Sequence, residues 1–178
     1  MKMKKMITSI AILMVALSGT ALVAQETASA TVDAVVMTAL TLANTASINF
    51  GNVPATSTPI LDPKEASHTD VSTGAAVGTF AVTGNASTQI TVTFDATATL
   101  GDGTNTMTFT PDLEGHAATQ GSAADVTTGS QVTLDGSGDF LFWLGGNLGS
   151  LSGQATGTYA SDNGANGGGD WNLNIEYN

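Results

Sequence analysis

Residues 171–178 read WNLNIEYN, and apolar and polar residues alternate in this segment up to its last position. Successive side chains of a β-strand point to opposite faces of the sheet. One face of this segment would therefore carry all of its large apolar residues, which are Trp171, Leu173, Ile175 and Tyr177. The alternation predicts a last strand that is buried on one side.

Several segments upstream show the same period of two. Their apolar positions are Phe80 and Val82; Ile90, Val92 and Phe94; Met107 and Phe109; Val132 and Leu134; and Phe140, Phe142 and Leu144. Threonine, whose branched side chain suits a pleated sheet, is frequent between them. Clusters of Gly, Asn, Asp and Ser, which favour turns, separate the runs. This pattern predicts an all-β fold, an antiparallel β-sandwich of about seven to nine strands.

Other segments have weaker patterns. Residues 39–46 are the nearest candidate for a helix, but their threonines favour a strand. Residues 47–53 predict another strand that ends in a turn. Residues 113–130 are small, polar and without a period, and they predict a long loop. The glycine-rich residues 163–170 predict a flexible loop.

The N-terminus has the composition of a secretory signal peptide. Its basic head consists of Lys2, Lys4 and Lys5. The apolar run that follows, residues 6–17, is too short to span a bilayer comfortably. We predict a leader helix in residues 1–24 with cleavage after Ala24; cleavage after Ala30 is the alternative, because the preceding Ala-Ser-Ala fits the small-residue rule better.

Cleavage of the leader would leave an acidic chain. Lys64, in a stretch that indicates a solvated turn, would stand against 15 acidic residues, a net charge of about −14. Nucleic-acid binding requires cations that displace counterions from phosphate, and an anionic membrane surface repels a chain of this charge. We therefore exclude nucleic acid as a partner and expect no membrane span after cleavage.

The chain contains no cysteine. Disulfide bonds, which many exported domains use, are therefore not available to it. Packing and sheet hydrogen bonds must hold the fold together. Large apolar residues are sparse among Ala, Thr, Ser and Gly, which predicts one thin core and a single domain in residues 25–178.

The order of several motifs resembles that of a known family. The motifs are ALTLANTASINFGNV (39–53), GTFAVTGNASTQITVTF (78–94), LDGSGDFLFWLGGNL (134–148), GQATGTYAS (153–161) and the terminal WNLNIEYN. In this order they resemble the bacterial secreted family called domain of unknown function 4402. The resemblance implies an immunoglobulin-like β-sandwich without known enzymatic chemistry and supplies no catalytic residues. The insertion SDNGANGGGD (161–170) departs from the family pattern and lengthens the last hairpin loop.

Residues that could carry catalysis are few. His68 and His116, the two histidines, lie in polar, loop-like stretches. A Ser–His arrangement needs a base beside the serine and an acid that orients it. No G-x-S-x-G nucleophile motif occurs after the leader. We predict that the protein is not an enzyme.

Asp135 and Asp139 are the candidate metal ligands. They flank the segment DGSGD, and Ca²⁺ prefers carboxylate and carbonyl oxygens on a flexible loop. The twelve-residue EF-hand pattern is missing, and turn formation explains these acids equally well. No other cofactor is expected.

The two tryptophans are candidates for ligand contact. Trp143 and Trp171 could form a platform for a sugar, but a buried tryptophan is frequent in β-sandwiches, so we favour a role in the core. If Phe142 points inward, Leu141 and Trp143 point outward. They would then form an exposed apolar patch, which makes them a candidate surface contact.

Both ends of the exported chain predict extended structure. Residues 31–42 are apolar and could complete a neighbouring subunit's sheet by strand addition, or pack within their own domain. Exported pilus subunits of the chaperone-assembled type resemble this arrangement, with a penultimate tyrosine on the last strand and an extended N-terminal arm. We expect a structural protein of the periplasm, cell surface or extracellular space that assembles or adheres. The alternative is a monomeric module that binds glycan or calcium.

Overall fold

The computed structural model describes residues 26–161 and 164–178. The predicted leader, residues 1–24, lies outside the described residues. The chain divides into a segment that ends at Val35 and a domain, Val36–Asn178. Residues 26–35 contain no helix or strand, and their side chains are exposed. No helix in the described residues is long and apolar enough to cross a membrane.

The described chain contains ten strands and one short 3₁₀ turn, Gln120–Ser122. The strands are β1 Thr41–Ala46, β2 Ile60–Leu61, β3 Gly78–Thr83, β4 Gln89–Phe94, β5 Ala98–Gly101, β6 Thr106–His116, β7 Ala124–Asp125, β8 Ser130–Thr133, β9 Asp139–Asn147 and β10 Leu173–Tyr177. β2 and β7 have only two residues each. Without these two, the count falls within the predicted seven to nine.

The strands form two sheets. The larger sheet has the order β1-β3-β9-β6-β5, with β2 paired to β9 and β7 paired to β6. The smaller sheet has the order β10-β4-β8. Every strand pair is antiparallel. The predicted all-β, antiparallel sandwich is confirmed.

The core lies between the sheets. Phe142 of β9 and Val82 of β3 point into it from the larger sheet, and Ile90 and Val92 of β4 from the smaller one. All four side chains are at most 1% exposed. Burying one large apolar side chain contributes about 1.5–3 kcal/mol, so this thin layer carries much of the stability of a chain without disulfides.

Residues 173–177 form the predicted last strand, which is buried on one side. β10 pairs with β4, and Ile175 stands opposite Val92. The large apolar residues of β10 and the preceding Trp171 pack against the core, whereas Asn174 and Glu176 are exposed. Because both ends of this strand are also tied to other elements, as described below, β10 is an integral strand of the sandwich.

The prediction of one loop over residues 113–130 is wrong. β6 continues to His116, and Ala124–Asp125 forms β7 against it. The local pattern hides this strand because the acidic Glu114 and the small Gly115 interrupt any apolar period. Glu114 is paired with Trp143 on one side and Asp125 on the other, and such distant partners leave no local signal.

Residues 47–53 also differ from the prediction. They form only an isolated bridge, between Asn49 and Ala76, instead of a strand. Gly51 follows with a φ of 67°, a conformation that glycine adopts readily, and its N–H donates to Asn49 Oδ1 at 2.8 Å. The chain therefore turns here and continues as irregular structure towards β2.

The described residues on both sides of the glycine-rich loop, 160–161 and 164–170, cover a sheet edge. Ala160 forms a bridge with Gly101, and Gly169 forms one with Thr99, both on the outer side of β5. A Cβ atom at Gly101 would overlap the carbonyl group of Asn166, so the close approach requires glycine. Covering an edge in this way blocks further strand pairing there.

Candidate functional site at an open sheet edge

β10 lies at the edge of the smaller sheet, and no described strand pairs with its outer side. In an immunoglobulin constant-type sandwich, one sheet has the order A-B-E-D, and the other contains C, F and G with G outside F. Here β1, β3, β9 and β6 occupy the positions of A, B, E and D, and β4 and β10 occupy those of C and F. Within the described chain, the position of strand G is unfilled.

The register shows which backbone groups point to this open edge. The Asp95 N–H donates to Asn172 O at 3.1 Å, and the Asn178 N–H donates to Gln89 O at 3.2 Å. In an antiparallel ladder, bonded and non-bonded pairs alternate, so the even-numbered residues of this segment bond to β4. The N–H and C=O groups that point outward therefore belong to Leu173, Ile175 and Tyr177.

The side chains of the same three residues are only half-buried. They pack against the core on one side. A strand in the G position would cover their outer side. The open edge therefore combines outward backbone groups with an incompletely covered apolar row, and it is the candidate functional site.

Asp95 fixes the start of β10. The Trp171 indole N–H donates to Asp95 O at 2.7 Å. The backbone N–H and side-chain amide of Asn172 donate to Asp95 Oδ2 at 3.0 and 2.8 Å. The Trp171 ring also lies 5.9 Å from the ring of Phe80 and 5.6 Å from that of Phe94. The predicted core role of Trp171 agrees with these contacts.

Tyr177 fixes the other end of β10. Its hydroxyl accepts a hydrogen bond from the Asn85 N–H at 2.6 Å and donates one to Thr38 O at 2.7 Å. A Cβ atom at Gly84 would lie 2.6 Å from this hydroxyl, so only glycine fits beneath it. The Tyr177 side chain thereby ties the end of the last strand to the residues that lead into β1.

Replacing Tyr177 by phenylalanine is expected to lower the free energy of unfolding by about 1–3 kcal/mol, because two partners lose their hydrogen bonds. Urea unfolding would measure the change. Tyr159→Phe is the comparison: it removes hydrogen bonds to Gln154 and Ala155, close by in the chain, and an interaction with the exposed Asp102. Equal effects of the two substitutions would contradict the proposed link between distant elements.

A cleft opens beside the start of β10. Its volume is about 1060 Å³, and it lies over the inner face of the larger sheet. Apolar side chains such as Phe80, Leu100 and Phe109 line it together with Trp171, and amide side chains such as Asn44 also contribute. The cleft and the open edge are therefore continuous through residues 170–172.

Residues 31–37, which we call the arm, precede β1. Val32, Val35 and Val36 are 92%, 88% and 94% exposed. The arm contains no helix or strand. Valine is usually buried in folded proteins, and clustered exposed apolar residues mark contact surfaces. Of the segment predicted to be extended, 31–42, only Thr41 and Leu42 belong to a strand.

Asp135 lies in the turn between β8 and β9, and Asp139 is the first residue of β9. The N–H groups of Asp139 and Ser137 donate to Asp135 Oδ1 at 2.9 and 2.7 Å, and these bonds lower the pKa of Asp135. The carboxylate therefore stabilises the turn. Among the residues described, no group of three or more His, Cys, Asp or Glu side chains is arranged to hold a metal ion. Calcium binding at this turn stays a prediction.

The expectation of an exposed patch at Leu141 and Trp143 is wrong for Trp143, which is 7% exposed; Leu141 is half-buried. The outer face of β9 is covered by the segment that follows β2. A Cβ atom at Gly145 would lie 2.7 Å from the Pro63 ring, which shows how closely this segment approaches. Trp143 thus belongs to a second packed layer outside the sheet.

Lys64 lies in a turn, as predicted, but its side chain is only 36% exposed and takes part in the same layer. Its ammonium group lies 3.2 Å from Glu114 Oε2, and Glu114 is only 5% exposed. The contact is an ion pair without the alignment of a hydrogen bond. Burial raises the pKa of Glu114, and Lys64 opposes the shift. Burial, together with Asp125 and Asp62, also raises the pKa of Asp112.

Stability is expected to be greatest at weakly acidic pH. A carboxyl group with a raised pKa binds its proton more tightly in the folded state, so stability from Glu114 and Asp112 falls as pH rises above about 4. Hydrogen bonds from Asn105 and Thr104 lower the pKa of Asp102 to about 2, and this contribution disappears as pH falls from about 4.

Thermal unfolding between about pH 3 and pH 7 measures this dependence. Glu114→Gln is expected to reduce the loss of stability as pH rises towards 7. It should leave the loss of stability at acid pH unchanged. A steeper decline in this variant would contradict the role assigned to Glu114.

No protein-family model, curated protein or solved structure matches this chain. The function is therefore inferred from the geometry. The sequence pointed to the last strand and to residues 31–42, but not to the cleft or to the Lys64–Glu114 pair, because the residues of each are far apart in the chain.

Proposed function

We propose that the protein is an exported structural subunit that assembles on the cell surface or outside the cell by strand addition. The observation that carries the proposal is that no described strand pairs with the outer edge of β10, in a chain whose arm exposes three valines. An extended segment that joins an open edge gains main-chain hydrogen bonds and pockets for alternate side chains. The arm would supply the edge strand missing from the described chain, and the edge of β10 would cover the exposed valines of the arm.

The composition supports the same role. An edge strand that remains open is an aggregation hazard unless something covers it. With about −14 charges after cleavage, copies repel one another in general. Association then requires a specific contact that gains more than this repulsion costs. Pairing of an apolar arm with an apolar edge meets that requirement.

The family resemblance and the leader are consistent with this proposal. The family called domain of unknown function 4402, which the motifs resemble, implies an exported sandwich without known enzymatic chemistry. The signal-peptide composition of residues 1–24 supports export. The role proposed here needs no catalytic residues.

Light scattering coupled to size-exclusion chromatography tests the proposal on the cleaved, full-length exported protein. We expect large species whose proportion rises with protein concentration, and filaments in negatively stained electron micrographs. A single species with the mass of one chain at all concentrations would contradict assembly.

The cleft favours a second function, a binding module for neutral glycans. Its tryptophan and asparagine side chains are of the types that contact sugars, and most ligand sites are concave with an apolar lining and a few polar groups. On this alternative the protein stays monomeric, and a neutral oligosaccharide raises its unfolding temperature. A panel of such oligosaccharides without effect would exclude it.

A further inference from the structure

We propose that the arm of a second copy pairs antiparallel with the outer edge of β10 and fills the position of strand G. This inference rests on the proposed function, because it names the acceptor surface for the strand addition. The occupant is residues 31–37 of another copy, and the acceptor is the edge of β10 together with the adjoining cleft.

The other sheet edges are poorer acceptors. The edge of β5 is covered by the bridges to Ala160 and Gly169. β8 has four residues and only one large apolar side chain, Val132. β1 exposes mainly threonine, alanine and asparagine, with Leu42 half-buried. Among the edge strands that the structure describes, only β10 offers three large, half-buried apolar side chains in one row.

The hydrogen bond between Tyr177 and Thr38 sets the direction of pairing. It places Thr38 beside the C-terminal end of β10. If the arm folded along β10 of its own copy, it would run from the Trp171 end to the Tyr177 end, parallel to β10. Every strand pair in this domain is antiparallel. The arm of another copy is free to enter in the antiparallel direction.

The arm fits this edge in length. Seven extended residues span about 23 Å, and the five residues of β10 span about 17 Å, at about 3.3 Å per residue. The surplus reaches the cleft at residues 170–172. An arm of this length can therefore cover the whole open edge.

The arm also fits in side-chain pattern. If Asp33 faces water, the even-numbered Val32, Ala34 and Val36 face the core of the acceptor. The two valines would then cover the row formed by Leu173, Ile175 and Tyr177. Val35 would lie on the outer face with Asp33.

Antiparallel pairing also fixes the geometry of the assembly. The arm of the donor would run from the Tyr177 end of the acceptor's β10 to the Trp171 end, so the donor domain lies beyond the Trp171 end. The acceptor's own arm leaves from the Tyr177 end, where Thr38 is held. Contacts of this head-to-tail kind that do not close into a ring form an open filament.

Engineered disulfides test the acceptor, and the absence of native cysteine makes the test clean. Val35→Cys is combined with Asn174→Cys in one full-length exported protein and with Glu176→Cys in another. These positions of β10 face outward, and two registers are thereby sampled. We expect at least one pair to form a covalent ladder of oligomers on non-reducing gels.

The matched control combines Val35→Cys with Gln131→Cys on β8. Glu176, Thr91 and Gln131 lie in one cross-strand row, so Gln131 occupies the equivalent place on the opposite edge of the same sheet. This control should give no ladder. An equal ladder from the control would overturn the assignment, and so would a disulfide within one chain.

The experiment separates this inference from the proposed function. If neither β10 pair forms a ladder while light scattering still shows large species, the acceptor assignment is wrong and assembly stands. If light scattering shows only single chains, the proposed function itself fails, and the acceptor assignment fails with it.

Discussion

A chain that lacks residues 31–37 is expected to be monomeric under conditions in which the intact chain forms large species. The deletion removes the exposed valines of the arm but keeps Thr38, whose carbonyl group binds the Tyr177 hydroxyl. It also leaves both predicted cleavage sites, after Ala24 and Ala30, intact. Light scattering measures the mass, and urea unfolding should show an unchanged domain.

Substitutions in the full-length chain test whether assembly depends on the apolar side chains of the arm or only on the presence of the segment. Val32→Ser with Val36→Ser removes two side chains that would face the acceptor, whereas Val35→Ser alters one that would face outward. Burial of one valine contributes about 1.5 kcal/mol or more, so the double variant should assemble at least about a hundredfold more weakly. Large species from the deleted chain would contradict the account.

Replacing Trp143 by alanine is expected to lower the free energy of unfolding by about 3–5 kcal/mol, the usual cost of emptying a buried aromatic site. Trp143 is 7% exposed and lies on the outer face of β9, opposite to Phe142. The interpretation of this residue as a surface contact instead predicts a change within about 0.5 kcal/mol. Chemical denaturation distinguishes the two values clearly.

Leu141→Ala is the comparison for this result. Leu141 lies on the same face of β9 and is half-buried, so its truncation should cost less than about 2 kcal/mol. A Trp143 variant as stable as the Leu141 variant would show that the segment after β2 does not cover this face in solution.

The strands with an uninterrupted period of two could be predicted from the sequence. β10 shows why: each apolar residue from Leu173 to Tyr177 faces the core between the two sheets, so the local sequence pattern of the strand matches its burial. β4 behaves in the same way, with Ile90 and Val92 buried. One-sided burial gives a local signal that does not depend on knowing the partner strand.

Periodicity does not predict the burial of residues in β9 and β6. Both faces of β9 are covered near Trp143, so inward and outward positions are buried alike. Glu114 of β6 is buried and pairs with Lys64, which is distant in sequence. A periodicity argument assumes that one face meets water, and it therefore misassigns residues on strands that are covered twice.

The candidate site required the order of strands. The sequence indicated that the last strand is half-buried and that residues 31–42 are apolar. That β10 lies at an edge, with the G position beside it unfilled in the described chain, follows only from the pairing of all strands. The hydrogen bond from Tyr177 to Thr38, which sets the direction of the arm, joins residues at opposite ends of the domain.

The most direct measurement is the mass of a chain that carries its own added strand. A second copy of residues 31–37 is joined after Asn178 through Asn-Gly. Asn178, the added pair and the added Thr31 then form a four-residue hairpin loop, which returns the chain antiparallel to β10 and places the added Val32 opposite Tyr177. We predict the mass of a single chain and a higher unfolding temperature, and a copy with both Val32→Ser and Val36→Ser should still permit assembly. Large species like those of the parent chain would contradict the claim that the open edge of β10 is where copies join.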